Sequence, residues 1–594
     1  MTILPIVAAC AVVLLIAYVT YGRLVMRWLG IDPTRPTPAV EMEDGNDFVP
    51  APAPVVLGGH FTAIAAAGPV VGPILAGLMF GWVPALIWII VGAIFIGAVH
   101  DSGALFASIR HKAGSITQVV REHMSRPAYV TFLLFVWISL VYVIIAFADV
   151  TAGSFANFQA FEMLGGDGKP TALQLNGGAV AIGATAYLVL SVVLGVVLRY
   201  TKLPWWAGLI ASVLILSLTI WTAPAMAQWL SEHGLPFMNT QGRDAGLLAK
   251  RWDLALLVYC FVASIVPMWA LLQPRGIIGA TFLYATLAFG VLGTLVGGFS
   301  GAGSSLAIRY PAFTSFFPAD GATPLFPFLF ITIACGACSG FHSIVASGTT
   351  CKQVRSEADI RPVGYGAMLL ESMVAVFALS CVMVMAPGSV GGRPVPDSIY
   401  ARGIGNFMNL CGVPLQFAVS FGLLAFSSFV FDTLDVCTRL GRYVLQEMTG
   451  LKGLPGGAVA TLLTLAGPAL YLSYMPAGSF KTFWTIFGTS NQLLAALTLV
   501  GVSVWLWRTG RPVWFTVLPA VFMVMSTGTA LVFNFRNFLR NYQLAAQTMT
   551  IVNMCIAGVL FMLGALVVFE ALRVWRRARS DAIAASAVLP AQPA

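Results

Sequence analysis

Charge is what this sequence has least of. Asp, Glu, Lys and Arg make up 9% of its 594 residues, against roughly 25% in ordinary soluble domains. Apolar residues make up 58%, so a water-soluble globule is excluded and a polytopic membrane protein remains. Histidine is scarce as well, with 6 in the chain, which makes the position of each informative. No GxxxxGK[ST] phosphate loop occurs, so nothing points to an ATP-driven pump. Haem-attachment and zinc-hydrolase motifs are missing too, and no cofactor is expected. The 9 cysteines fall almost entirely within apolar stretches. That leaves no disulfide framework in exposed loops and makes them small packing residues by default.

Long apolar runs are what the chain does have. A span needs about 20 apolar residues, and fifteen stretches qualify: 4–29, 60–80, 84–108, 127–153, 179–198, 204–230, 252–273, 277–299, 326–348, 363–387, 411–436, 455–474, 480–507, 512–534 and 546–572. The expected fold is all-α, with the first stretch a retained helix because it lacks a basic leader and a small-residue cleavage site. Most of the 32 basic residues, among them Arg23, Arg110, Lys112, Lys352, Arg442 and Arg511, fall in one set of alternate loops. By the positive-inside rule that places the N-terminus outside and the C-terminus inside. The net charge of +9 then belongs to inner-face loops, and no nucleic-acid partner is expected.

Two apolar stretches are interrupted. Residues 326–350 read FPFLFITIACGACSGFHSIVASGTT, bulky at first and then small or hydroxylated. Residues 68–73 carry two Gly-Pro pairs, GPVVGP, and a proline inside a helix removes an amide hydrogen and clashes with the preceding turn. FTAIAAAG (61–68) resembles FHSIVASG (341–348), ALIWIIVGAIF (85–95) resembles AMLLESMVAVF (367–377), and Asp149-Val150 aligns with Asp435-Val436. Three matches in order indicate an internal repeat. Interrupted helices at corresponding places in two repeats are the best sequence pointer to a transporter's substrate site. The expected site is therefore Gly68, Pro69, Gly72 and Pro73 with Gly340, His342, Ser343, Ser347, Gly348 and Thr349. Both stretches are expected to be unwound, their carbonyls open to an ion and their half-helix N-termini open to an anion.

Charges inside spans are candidates for coupling or gating because each costs roughly 2.5–3.5 kcal/mol at a helix centre on insertion scales. His60, Asp101, Glu371 and Asp435 are named on that ground, Asp149 and Asp432 less strongly. Each has a plainer reading. Asp101 with His100 could be a solvated pair at a helix end, and Asp435 could pair with Arg439 and Arg442 at four and seven residues' spacing on its own helix. Cys335, Cys338 and His342 share a helical face, but a fourth ligand is missing, so no metal is assigned. The chain divides into a first helix and inner linker (1–58), a first repeat (59–230), intervening helices (231–325), a second repeat (326–510), C-terminal helices (511–579) and a disordered tail (580–594).

GGHFTAIAAAGPVVGPILA (58–76), GAVHD (97–101), LLQPR (271–275), LFPFLFITIACGACSGFHSIVASGTT (325–350), GYGAMLLES (364–372), TLDVCTRLGRY (433–443) and FGTSNQLLAA (487–496) resemble the carbon starvation protein A family. The resemblance implies a LeuT-like inverted repeat of five plus five helices within the amino acid–polyamine–organocation superfamily. It implies a bacterial inner-membrane carrier, not an enzyme, that takes up pyruvate or small peptides, with a proton in the pyruvate carriers; the residues themselves leave a proton or a sodium ion open as the coupling ion. A membrane-bound metabolite sensor and a metal-containing membrane enzyme are the alternatives. The first is disfavoured by the absence of an appended signalling domain, and the second rests on Cys335, Cys338 and His342 alone.

Overall fold

In lipid a chain can satisfy its backbone polar groups only within helices or closed barrels, and these apolar runs coil into helices throughout. The computed structural model describes residues 2–45, 48–65, 67–164, 170–234, 237, 245–267, 269–299, 306–318, 323–387, 396–544 and 548–587. Among them, twelve helices are long and apolar enough to cross a membrane, thirteen with the bent pair Ala53–Ile64 and Gly68–Phe80. The chain is thus a multi-pass membrane protein. The remaining two of the fifteen expected stretches take other forms. Ala245–Ile265 carries Lys250, Arg251 and Asp253 in its first half. Residues 326–348 are split into Leu325–Thr332 and Gly340–Gly348.

Two elements were hidden in what read as loops. The helix Pro396–Leu410 is buried along one side and packs against Leu415–Thr449. Strands Phe158–Leu164 and Pro170–Asn176 pair antiparallel, Phe158 opposite Asn176. The last helix, Thr548–Ala587, extends into the stretch expected to be a tail, and 588–594 lie outside the described residues.

Burial sorts the helices into rings. Leu4–Leu29, Trp205–Glu232 and Asn553–Arg576 are mostly exposed and turn Val12, Leu15, Leu214, Trp221, Met562 and Phe569 outward, the face a bilayer would cover. Glu357–Met383, Leu415–Thr449 and Trp484–Arg508 are almost wholly buried. The broken helices lie among these inner elements. Gly68–Phe80 packs against Leu325–Thr332, and Ala53–Ile64 against Gly340–Gly348, so the two cross near their interruptions.

The first interruption is displaced from its expected place. Residues 68–73 are not unwound: Gly68–Phe80 is helical, with Pro69 in its first turn and Pro73 inside it. A proline at a helix start costs no hydrogen bond, since that amide has no intrahelical partner. The bend, of 47°, precedes Gly68, across 65–67, of which Ala66 is outside the described residues. In the second helix the non-helical stretch is 333–339. Gly340, His342, Ser343, Ser347 and Gly348, expected in unwound chain, instead form the half-helix Gly340–Gly348, with Thr349 just after it. The matched strings 61–68 and 341–348 therefore do not occupy equivalent places: half of one precedes its break and the other comes after.

Candidate functional site

Glycines let the broken helices touch. A Cβ on Gly72 would lie 2.5 Å from the Thr332 carbonyl oxygen and 3.2 Å from Ile333 Cα, and one on Gly68 would overlap the Cys335 side chain. Backbone meets backbone here. The carbonyls released by the second break are not left open as expected. Gln492 Nε2 lies 3.2 Å from the Phe330 carbonyl, 3.5 Å from Ala334 and 2.9 Å from Cys338, and Trp88 Nε1 donates to Ile333 at 3.1 Å. The N-terminus of Gly340–Gly348 is closed as well, because the Phe341 amide donates to Asn491 Oδ1 at 2.9 Å. Buried polar groups must find partners, and two adjacent amides on Phe480–Arg508 supply them.

Past the break, His342 meets two acids. Its Nδ1 lies 2.8 Å from Asp101 Oδ2, and its Nε2 lies 3.2 Å from Glu371 Oε2, off the hydrogen-bond axis. His100 Nδ1 holds the other Asp101 oxygen at 2.8 Å. All four side chains are fully buried, so the solvated helix-end reading of Asp101 falls away. His60 Nδ1 contacts Thr350 Oγ1 at 2.8 Å, and Ser343 bonds the Gly340 carbonyl and Thr498 at 2.7 and 3.0 Å. Each acid lies just beyond a π-helical turn, Ala93–Gly97 before Asp101 and Arg361–Gly366 before Glu371. Such a turn accommodates an extra residue and rotates the downstream side chains about the axis, and it is frequent at functional sites. Tyr365, in the second turn, donates to the Ile94 carbonyl in the first at 3.2 Å, tying the two together.

A second charged cluster surrounds Arg275, which sits in the first turn of Leu272–Phe299 and is 1% exposed. Its Nε lies 2.7 Å from Asp432 Oδ1, and its Nη1 pairs with Asp435 Oδ2 and donates to Tyr259 at 2.8 Å. Tyr187 donates to Asp432 at 3.0 Å and Tyr259 to Asp435 at 2.6 Å. The expected alternative for Asp435, a local pair with Arg439, is therefore replaced. Arg439 reaches instead to the carbonyls of Ala263 and Val266 at 2.7 and 2.6 Å, which lie at the end of Ala245–Ile265. Asp149 accepts from the Gly478 amide at 2.9 Å and belongs to neither cluster.

Among the described residues, no metal set forms around the second break. Both nitrogens of His342 face carboxylates, and Cys335 Sγ faces Ser339 and Asn491 at 3.6 and 3.5 Å. The ligand atoms that do converge among the described residues are those of His111, Glu122 and His123, at the Ile116–His123 helix between two spans.

Two cavities flank the crossing. One, of about 310 Å³, is lined by Val71, Ser154, Asn157, Asp397, Phe426 and Gly478 among others. The other, of about 250 Å³, is lined by Gly59, Thr62, Arg275, Thr349, Gln353 and Asp432 among others. Val71 and Thr62 lie on opposite sides of the first break, and Phe426 and Asp432 are about 9 Å apart along one helix at 1.5 Å per residue. The crossing packed by Gly68 and Gly72 separates them.

The family described as "Carbon starvation protein CstA" matches residues 2–392 and 388–530. The chain belongs to that family. It is 32% identical to the pyruvate/proton symporter BtsT of Escherichia coli (strain K12) over 616 residues, 89% of this chain and 81% of that one. It is 30% identical to the peptide transporter CstA of Bacillus subtilis (strain 168) over 637 residues, 98% of each. Among solved structures, a manganese transporter of Eremococcus coleocola aligns with TM-score 0.44 and 13% identity, over 90% of this chain and 99% of that one. In this CstA-family chain the stretches that carry the resemblance converge on the second break and the two clusters. GAVHD brings His100 and Asp101, GYGAMLLES brings Glu371, LLQPR brings Arg275, TLDVC brings Asp435, and FGTSNQ brings Asn491 and Gln492. Sequence reasoning missed Arg275 as a site residue because it falls in the short turn between two expected spans, 252–273 and 277–299. It also missed Asn491, Gln492, Trp88, Tyr187 and Tyr259. A cation beginning an otherwise apolar helix was the available signal for Arg275; the others carried none.

Proposed function

We propose that this chain is a secondary active transporter that takes up a small carboxylate nutrient, pyruvate or a small peptide, across the bacterial inner membrane together with a proton. The observation that carries the reading is the buried His342–Asp101–Glu371 triad beside the crossing of two broken helices, with a cavity on either side. A histidine between two carboxylates is placed to hold a proton and hand it on. Ionisable groups inside a membrane protein are expensive and mark proton relays and substrate paths by default. The names of the relatives, a pyruvate/proton symporter and peptide transporters, support both substrate classes.

In this reading the two halves of the core form an inverted repeat, and alternating access rocks one bundle against the other about the Gly68 and Gly72 contact. The N-terminus lies outside, so the 250 Å³ cavity opens inward beside the basic loop near Lys352, and the 310 Å³ cavity opens outward. The deciding experiment is uptake of labelled pyruvate and of a labelled dipeptide into proteoliposomes under separately imposed proton and sodium gradients. Concentrative uptake of one label driven by the proton gradient alone is the expected result. Equal uptake with no gradient, or drive by sodium only, would refute proton coupling.

A further inference from the structure

We infer that Arg275 holds the substrate's carboxylate in the 250 Å³ cavity, in competition with Asp432 and Asp435, which occupy the guanidinium when the cavity is empty. This rests on the transporter reading and goes beyond it by naming the anchor.

The cavity is just below the range of about 300–1,000 Å³ that takes drug-sized ligands, so it suits a small molecule. Arg275 is the one cation among its described lining residues, beside Thr62, Gln273, Thr349 and Gln353. A guanidinium is planar, always charged and matched to a carboxylate by paired N–H donors. Here it serves two carboxylates, and neither acid is fully satisfied. Asp435 Oδ1 is buried without a hydrogen-bond partner, and Arg275 Nε, though close to Asp432, is not aligned for a bond. A pair meant only to hold helices together needs one acid, and buried pairs are weak stabilisers in any case. Each aspartate also has a tyrosine hydroxyl within reach, Tyr259 for Asp435 at 2.6 Å and, for Asp432 at 3.0 Å, Tyr187, whose proton the Arg275 carbonyl shares at 2.9 Å. Either acid therefore keeps a partner when Arg275 turns to an incoming carboxylate.

Competition and scaffolding predict opposite signs for one substitution. In proteoliposomes loaded inside with substrate, counterflow of labelled pyruvate and of labelled dialanine would be measured against pyruvamide and dialanine amide as competitors that lack the carboxylate. The wild type should prefer the carboxylate over its amide by about tenfold or more, as a charge-assisted contact provides. Arg275→Gln should bring that preference to near unity, and Arg275→Lys should restore part of it. Asp432→Asn removes a competitor, so half-saturation by the carboxylate should fall by about three- to tenfold. An unchanged preference in Arg275→Gln, or weaker carboxylate binding in Asp432→Asn, overturns the proposal. If Arg275→Gln does not reach the membrane, the sign of the Asp432→Asn effect decides alone. A wild type that carries neither label would refute the transporter reading itself, and whichever label is carried separates pyruvate from a peptide terminus.

Discussion

Removing His342 should strand Glu371 more than Asp101, and a double-mutant cycle can measure that. In the structure Asp101 keeps His100 at 2.8 Å when His342 is gone, whereas neither Glu371 oxygen has a hydrogen-bond donor and, among the described residues, the one basic side chain paired with it is His342 at 3.2 Å. Breaking a buried ion pair by deleting one partner costs about 3–5 kcal/mol, so His342→Ala should destabilise the protein by that amount. Glu371→Gln alone should cost less, about 1–3 kcal/mol, because His342 still pairs with Asp101. In the double variant the uncompensated charge is gone, and about 2 kcal/mol of the first loss should return, within the range of coupled contacts. Unfolding of the purified proteins in one detergent would give the four energies. Transport would be read in parallel: the double variant should exchange substrate across the membrane but not concentrate it. Additive effects within about 0.5 kcal/mol would refute the triad as an energetic unit.

Gly72→Leu should abolish uptake in a protein that still inserts, since its Cβ would sit 2.5 Å from a backbone oxygen that cannot step aside; overpacking of this kind costs about 1–3 kcal/mol, and wild-type uptake by a folded variant would show the contact to be dispensable. Gln492→Leu removes the donor for the Cys338 and Phe330 carbonyls, each about 1–3 kcal/mol if left unbonded, so thermal unfolding should move down clearly while Gln492→Glu, which keeps the shape but has no N–H, should be no better; unchanged unfolding in the leucine variant would mean the carbonyls find other donors. On the interfacial helix, burial and the facing His111 hold His123 down to about 4, against a usual value near 6.5. The unfolded chain then binds more protons between these values, so this contribution is full above about pH 6.5 and is lost as pH falls toward 4. Hydrogen exchange across Ile116–His123 should therefore speed up from pH 7 to pH 5 beyond the intrinsic rate change, and His123→Gln should remove that excess; an identical profile in the variant would rule His123 out as the cause.

Much was already decided by the sequence. With 58% apolar residues and 9% charged, the chain had to satisfy its backbone inside lipid, and unbroken apolar runs of about 20 residues suit helices rather than the short alternating strands of a closed barrel. The long motifs placed it among carbon starvation proteins without any three-dimensional information. His342, Asp101 and Glu371 stood out singly because a charge amid apolar residues is visible locally. Their meeting was not visible, since residues 241 apart in the chain, as His342 and Asp101 are, share no spacing that a helical period can reveal. The partner of Asp435 shows the limit most plainly. Four residues' spacing favoured Arg439, yet Arg439 caps the carbonyls of Ala263 and Val266, and Arg275 takes the acid. Local periodicity fixes which face of a helix a side chain occupies; only the packing of other helices decides what waits on that face, and at the ends and breaks of helices the unpaired backbone groups compete with the acids for the same donors.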